Sequence, residues 1–86
     1  MPMDLVSDPL NDQVLREIRR EMAAQRLSQA ELAALIGHSQ WFVSYRLTGK
    51  KELTLSELED IAGALRVPIR QLLPVEIPAS RRRRVS

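Results

Sequence analysis

The stretch that decides the fold is SQAELAALIGHSQWFVSYRLTG, residues 28–49 of the chain. Ser28 and Glu31 have the spacing of a capping box, which predicts that a helix of about two turns begins after Ser28. Gly37 is predicted to end this helix, because glycine adopts the left-handed backbone of a C′ position without steric cost. Ser39 can then cap a second short helix. Two short helices joined by such a turn predict a helix-turn-helix unit.

Three further helices are predicted around this unit. The first begins near Pro9, a favoured residue at a helix start, and runs to about Arg26, with Arg19 on its outer face. A second capping box at Thr54 begins the fourth helix, and Pro68 begins a short fifth helix. Five short helices with short connections predict a compact all-α domain. The apolar residues at helical spacing in the first, second and fourth helices are Leu10, Val14, Leu15, Ile18, Met22, Ala30, Leu32, Ala33, Leu35, Ile36, Leu55, Leu58, Ile61, Ala62 and Leu65.

Length sets the domain organisation, because 86 residues suffice for one small domain with tails. We expect an N-terminal arm over residues 1–8, the helical domain over 9–74 and a C-terminal segment over 75–86. Apolar residues that alternate between prolines predict an extended stretch at 75–78. Repulsion among like charges predicts disorder from residue 79 onward.

The composition argues against several functional classes. The chain has no cysteine, so neither disulfides nor thiolate metal sites are expected. The one histidine, His38, cannot build a zinc site by itself. The sequence contains no nucleophile–base set and no glycine-rich phosphate loop, so we expect neither an enzyme nor a bound cofactor or metal. It also lacks a signal peptide and an apolar run of ~20 residues, and we expect a cytoplasmic, nucleoid-associated location in a bacterial host cell.

Charge is distributed unevenly along the chain. There are 13 basic and 11 acidic residues, a formal net charge of +2, and four of the bases are consecutive: Arg81, Arg82, Arg83 and Arg84. Without these four, nine bases and eleven acids remain, a net charge of −2. Residues 41–51 nevertheless contain no acid, and a local excess of positive charge attracts a polyanion to one face. The arginine run has three interpretations: a salt-sensitive contact with DNA, a solvated end, or a contact with an acidic protein.

The helix predicted over Gln40–Thr48 has two unlike sides. Val43 and Leu47 fall on one side and can anchor the helix to the domain. The opposite arc, roughly 140° wide, carries no formal charge and offers an amide, hydroxyls, a phenol and an indole. These groups suit the edges of bases, whereas the charges at the margins suit phosphates. The outward residues are Gln40, Trp41, Ser44, Tyr45 and Thr48, and the marginal bases are Arg46, Lys50 and Lys51.

A wider pattern spans all five predicted helices. It comprises Ser28-Gln-Ala-Glu-Leu-Ala, Gly37, Val43-Ser44, Gly49-Lys50, Leu58, Ile61-Ala62 and Ala64-Leu65-Arg66-Val67-Pro68. This pattern resembles the phage repressor and Cro-type helix-turn-helix family, or XRE family, over about Leu10 to Leu73. The resemblance implies a compact five-helix, lambda-repressor-like DNA-binding domain whose third helix enters the major groove.

The resemblance also implies site residues. Four outward residues match base-reading positions, and Gln29 and Lys50 match phosphate-contacting positions. We therefore expect base contacts from Gln40, Trp41, Ser44 and Tyr45. We expect phosphate contacts from Gln29, Ser39, Arg46, Thr48, Lys50 and Lys51.

Two positions depart from the family pattern. Many relatives place an arginine in the first helix against a glutamate in the third, and Met22 and Leu47 stand at the matching positions here. An apolar contact is expected to replace that ion pair, an exchange that is often neutral or stabilising. The family also usually has glycine where this chain has Arg66, so either Arg66 adopts a left-handed backbone or the fourth helix ends differently.

The function expected from these observations is a sequence-specific regulator of transcription that binds double-stranded DNA, a phage Cro-like or short immunity-type repressor. An antitoxin or a protein-interaction module, in which Trp41 and Tyr45 contact a partner protein, is the alternative. A homodimer is a separate expectation. It rests on apolar residues near the C-terminus, namely Ile69, Leu72, Leu73, Val75 and Ile77.

Overall fold

The computed structural model describes residues 9–73, and five α-helices make up most of this range. No β-strand and no helix able to span a membrane occurs within it, so the predicted all-α, five-helix class is confirmed. The predicted arm over 1–8 and the segment over 75–86, with its arginine run, lie outside the described residues. The helices are α1 (Pro9–Gln25), α2 (Gln29–Ile36), α3 (Gln40–Leu47), α4 (Leu55–Leu65) and α5 (Ile69–Leu72).

Side chains close to each helix start fix where α2, α3 and α4 begin. Both predicted capping boxes form. The Ser28 hydroxyl accepts from the Glu31 amide at 3.0 Å, and the Glu31 carboxylate accepts from the Ser28 amide at 2.8 Å. Thr54 and Glu57 make the same pair of bonds at 3.1 and 3.0 Å. The start of α3 is capped by Ser39, whose hydroxyl accepts from the Phe42 amide at 3.0 Å. The helix-turn-helix register is therefore set by local hydrogen bonds.

Left-handed residues end three of the helices. Gly37 ends α2 as predicted, with φ 75°. Arg66 ends α4 with φ 63° and ψ 38°, so an arginine adopts the backbone conformation that glycine adopts most readily. Arg26, which follows α1, also has a positive φ of 57°. Of the two predicted ways to end α4, the structure thus selects the left-handed arginine.

The core is apolar throughout, with no polar or charged side chain buried among the described residues. All five helices contribute to it, and α2 packs against both α3 and α4. Met22 and Leu47 are 7% and 2% exposed, so both positions that depart from the family ion pair lie in this core, as predicted. The buried residues are Val14, Leu15, Ile18, Met22, Leu32, Ala33, Val43, Leu47, Leu58, Ile61, Ala62, Leu65 and Leu72.

Three leucines of the predicted apolar pattern are exposed instead. Leu10 is 43% exposed, Leu35 60% and Leu55 71%. Each lies within the first or last two residues of its helix, beyond the packed interior. The helical spacing therefore predicts the correct face of each helix but overestimates how far the core extends toward the helix ends.

The predicted dimer surface requires one correction. Leu72 is fully buried in the core of its own chain, so it has no surface to offer a second copy. Ile69 is half-buried and packs against the same core, whereas Leu73 is 37% exposed. Val75 and Ile77 lie outside the described residues.

The left-handed Arg66 leads to a stability prediction. We expect Arg66→Gly to raise the free energy of unfolding by about 0.5–1 kcal/mol, because relief of the side-chain clash exceeds the extra entropy that glycine gives the unfolded chain. Urea denaturation of the two proteins measures the difference. As a control, Arg70→Gly, at an exposed position inside α5, is expected to lower stability. A loss of stability in Arg66→Gly would contradict the argument.

Candidate nucleic-acid interface

The orientation of α3 is set by its two inward residues. Val43 and Leu47 are each 2% exposed and belong to the core. The opposite side of the helix is consequently turned to solvent, where Gln40 and Trp41 are exposed. Trp41 is 67% exposed. The structure thus places the inward and outward residues as the helical spacing predicts.

The outward residues occupy one continuous surface, defined here as the α3 face: Gln40, Trp41, Ser44 and Tyr45. Ser44 and Tyr45 are half-buried. The rings of Trp41 and Tyr45 stack with centroids 4.8 Å apart and planes inclined by 17°. An amide, a hydroxyl and two aromatic rings are therefore presented side by side, and none of them carries a formal charge.

The predicted phosphate-contacting residues differ in whether their side chains already form hydrogen bonds or ion pairs within the domain. Lys50 and Lys51 follow α3, are exposed, and form no ion pair with any residue in 9–73. Gln29 is half-buried at the first position of α2. The Ser39 hydroxyl accepts a hydrogen bond in its cap, so its proton remains able to donate to a phosphate. Thr48 donates its hydroxyl proton to the Tyr45 carbonyl at 3.1 Å, so a contact with a phosphate requires this exposed hydroxyl to change partner.

Arg46, expected as a phosphate contact, also holds α3 to its neighbour in the structure. Its Nε and Nη2 donate to the two carboxylate oxygens of Glu57, each at 3.0 Å. Its guanidinium carbon lies 4.1 Å from the ring centroid of Phe42. The Arg46 side chain is only 11% exposed. These bonds use two of the five N–H donors of the guanidinium and hold the side chain against α4, and the contact of Arg46 with a phosphate stays a prediction.

Glu57 connects α3 to α4. One of its carboxylate oxygens accepts from both Arg46 and the Thr54 amide, so the same group caps α4 and holds α3. The hydrogen bonds from Arg46 lower the pKa of Glu57, with a further contribution from the Thr54 amide, while burial acts in the opposite direction. The same pairing raises the pKa of Arg46. The pair therefore stays ionised at neutral pH.

A column of stacked planar groups supports this pair. The rings of His38 and Phe42 stack with centroids 3.8 Å apart and an interplanar angle of 8°, and Arg46 lies over Phe42. The sequence alone indicates no role for His38. Phe42 and Arg46 are four residues apart within α3, which places them on one side of that helix, and His38 lies just before the Ser39 cap. Within the described part of the chain, no cluster of histidine, cysteine, aspartate or glutamate is arranged to hold a metal ion.

Helix α1 also holds α3, through Arg19, which the helical spacing predicts only to lie on the outer face of the first helix. Arg19 donates from Nη2 to the carbonyl of Leu47, the last residue of α3. The contact joins residues 28 positions apart. It satisfies one of the carbonyls that a helix C-terminus leaves without an internal partner.

With this geometry established, comparison with known proteins adds an independent finding. The family model described as Helix-turn-helix matches residues 15–72, which include every core residue except Val14 and the whole α3 face. The chain matches no curated protein.

Three solved structures share the fold. The hypothetical transcription factor NHTF from Neisseria is 30% identical, with a TM-score of 0.67 over 88% of this chain and 85% of that chain. The restriction-modification controller protein C.AhdI from Aeromonas hydrophila is 28% identical, with a TM-score of 0.66 over 70% of this chain and 87% of that chain. The clp gene regulator ClgR from C. glutamicum is 24% identical and shows the same fold, with a TM-score of 0.68 over 76% and 86% of the two chains.

The Arg46–Glu57 pair leads to a pH prediction. We expect Glu57→Gln to lower the free energy of unfolding by about 1 kcal/mol near neutral pH, because a neutral amide cannot accept the paired bonds from Arg46. The pKa of Glu57 is lowered in the folded state, so its contribution is complete above its unfolded-state pKa and is lost as the pH falls through the folded-state pKa. The difference between wild type and variant should therefore shrink as the pH falls below about 4.5, the ordinary pKa of glutamate, toward the lower pKa of the folded state.

Glu31→Gln is the matched control for this measurement. Glu31 caps α2 as Glu57 caps α4, and it has no arginine partner among the described residues. Chemical denaturation across the pH range compares the two variants. Equal losses in Glu31→Gln and Glu57→Gln would show that capping alone, and not the pairing with Arg46, accounts for the effect.

Proposed function

The chain belongs to this helix-turn-helix family, and we propose that it regulates transcription by reading a specific operator sequence in duplex DNA with α3. Family membership and likeness to regulators of known structure support the broader description, a DNA-binding transcriptional regulator of the XRE type. The observation that carries the proposal is the α3 face, an uncharged surface with hydrogen-bonding groups on a helix that is anchored from behind.

The chemistry of the α3 face suits the major groove. A glutamine amide, as in Gln40, pairs with the N6 and N7 edge of adenine, and a hydroxyl such as that of Ser44 donates or accepts. Lys50 and Lys51, with Gln29 and Ser39, are proposed to contact phosphates and so to set the register of the helix. We also propose that the arginine run over 81–84 adds affinity that is independent of sequence and sensitive to salt.

Within the family we propose a phage Cro-like or short immunity-type repressor. The resemblance of the whole domain to that group supports this assignment. Likeness to C.AhdI, a restriction-modification controller, suggests a second regulatory setting for the same fold. The protein-interaction alternative differs physically, because it covers Trp41 and Tyr45 with a partner protein, whereas an antitoxin uses the same fold to bind both an operator and a toxin. Affinity for DNA falls steeply with salt, whereas an aromatic contact with a protein responds weakly.

Selection of preferred sites from random duplexes tests the proposal most directly. We expect one consensus sequence whose affinity exceeds that of random duplex by about 10³-fold or more at physiological salt. Enrichment of no sequence would contradict the proposal.

The roles of the α3 face and the lysines can be separated on the selected operator. We expect Gln40→Ala to cost about 1–3 kcal/mol of discrimination at one base pair, because it removes one side chain that reads a base edge. We expect Lys50→Ala to weaken all sequences alike and to flatten the dependence of affinity on salt. Anisotropy titrations at several salt concentrations measure both effects. The reverse pattern would mean that α3 does not read the bases.

We also propose that the regulator acts as a homodimer, through a surface that differs from the one expected from sequence. Among residues 9–73, three of the five exposed large apolar residues, Leu10, Leu55 and Leu73, line one apolar groove between the start of α1 and the start of α4. Glu52 contributes the only formal charge to the lining, so the groove suits an apolar partner and not DNA. The groove also includes Leu73, where the predicted dimer segment joins the domain. A second copy offers the same leucines, and a two-fold dimer places recognition helices about 34 Å apart, one turn of DNA.

Sedimentation equilibrium tests the dimer. We expect Leu55→Asp to shift the protein toward monomer, because a carboxylate in the groove loses its hydration when a second copy covers it. Leu35→Asp is the matched control, since Leu35 is similarly exposed but lies outside the groove and should leave the association unchanged. A wild-type monomer, both free and on DNA, would remove the dimer proposal.

A further inference from the structure

The stacked pair of Trp41 and Tyr45 is the part of the α3 face that hydrogen bonding to bases does not explain. The two residues are one helical turn apart, and their rings lie 4.8 Å from each other in nearly parallel planes. Tyr45 is half-buried, whereas Trp41 is 67% exposed. Tyr45 therefore acts as a support, and Trp41 presents the outer surface of the stack.

The exposed indole is not needed to hold the domain together. Val43 and Leu47 anchor α3 from the opposite side, and the core is complete without Trp41. Stacking on Tyr45 also restricts the side chain before any ligand arrives, which reduces the entropy lost on binding. A large, rigid and exposed aromatic group has the properties of a preorganised apolar contact.

The chemistry of the major groove limits what such a contact can recognise. Base edges there present donors and acceptors, with a single apolar group, the C5-methyl of thymine. Cytosine lacks this methyl group and purines have no equivalent of it. An indole offers one donor, its Nε1–H, and otherwise only apolar ring surface. The methyl group of a 5-methylpyrimidine is thus the feature of a base edge most complementary to the ring surface of Trp41.

We infer that Trp41 reads the C5-methyl of a thymine in the operator, with Tyr45 as a positioning residue that fixes the indole plane. The inference rests on the proposed function, because it requires that α3 lies in the major groove. It assigns a thymine to the first turn of α3, adjacent to the base pair that Gln40 is proposed to read. It also predicts that recognition at this position depends on a methyl group and not on a hydrogen bond.

Deoxyuridine provides the test, since it keeps every hydrogen-bonding group of thymidine and lacks only the methyl. Each thymine of the selected operator is replaced in turn, and binding is measured by anisotropy. We expect a loss of about fourfold in affinity at one thymine per α3 helix, the effect of removing one buried methyl group. In Trp41→Ala the ratio between thymine and uracil duplexes at that position should fall to about one.

Variants at two neighbouring positions show whether a change in the preference for thymine comes from the Trp41 contact itself or from a disturbed α3. Gln40→Ala removes a neighbouring side chain of the same surface and should keep the preference for thymine over uracil. Tyr45→Phe retains the stacked ring and should keep the preference, whereas Tyr45→Ala should reduce it. Because Trp41 is the only tryptophan in the chain, its fluorescence also reports directly whether the indole is covered in the complex.

The outcomes distinguish this inference from the function on which it rests. If an operator is selected but no thymine shows a uracil effect, the methyl contact is wrong and the regulator function stands. A thymine preference that persists in Trp41→Ala also overturns the assignment, because another residue then reads the methyl. If no operator is selected at all, the proposed function fails and this inference fails with it.

Discussion

The packing of Val43 and Leu47 into the core is the constraint on which the rest of this structure depends. These two residues are the only members of α3 that are buried among the described residues, and they determine which way the helix is turned. Every property of the α3 face follows from that rotation, because residues on the opposite arc must then be exposed. Rotation by a single residue position, about 100°, would bury part of that face and expose part of the anchor.

Polar contacts then fix α3 against its neighbours. The family arrangement described above, an arginine of the first helix against a glutamate of the third, is replaced here by apolar residues at Met22 and Leu47. Arg46 pairs with Glu57 of α4, and Arg19 of α1 reaches the backbone of α3. In this protein, α3 is therefore connected to both α1 and α4 by arginine side chains, while the core beneath remains free of buried charge.

Most of the fold could be predicted because its signals are local. A capping box such as Ser28 with Glu31 joins residues three positions apart, so sequence alone reveals it. The contacts that sequence could not reveal join distant residues. Arg46 and Glu57 are 11 positions apart and Arg19 and Leu47 are 28 apart, and both pairs depend on how the helices cross. The α3 face was predicted from spacing, whereas the pairing of Arg46 with Glu57 needed the three-dimensional positions of α3 and α4.

The contact between Arg19 and Leu47 has an electrostatic consequence. The carbonyl groups at the end of a helix carry a partial negative charge of about half an electron, which repels a polyanion. In α3 this end leads directly into the turn that carries Lys50 and Lys51. A guanidinium bound to the Leu47 carbonyl offsets the helix dipole at that point. With Arg19 bound there, the electrostatic potential beside the two lysines is more uniformly positive than it would be if the C-terminal end of α3 were uncompensated.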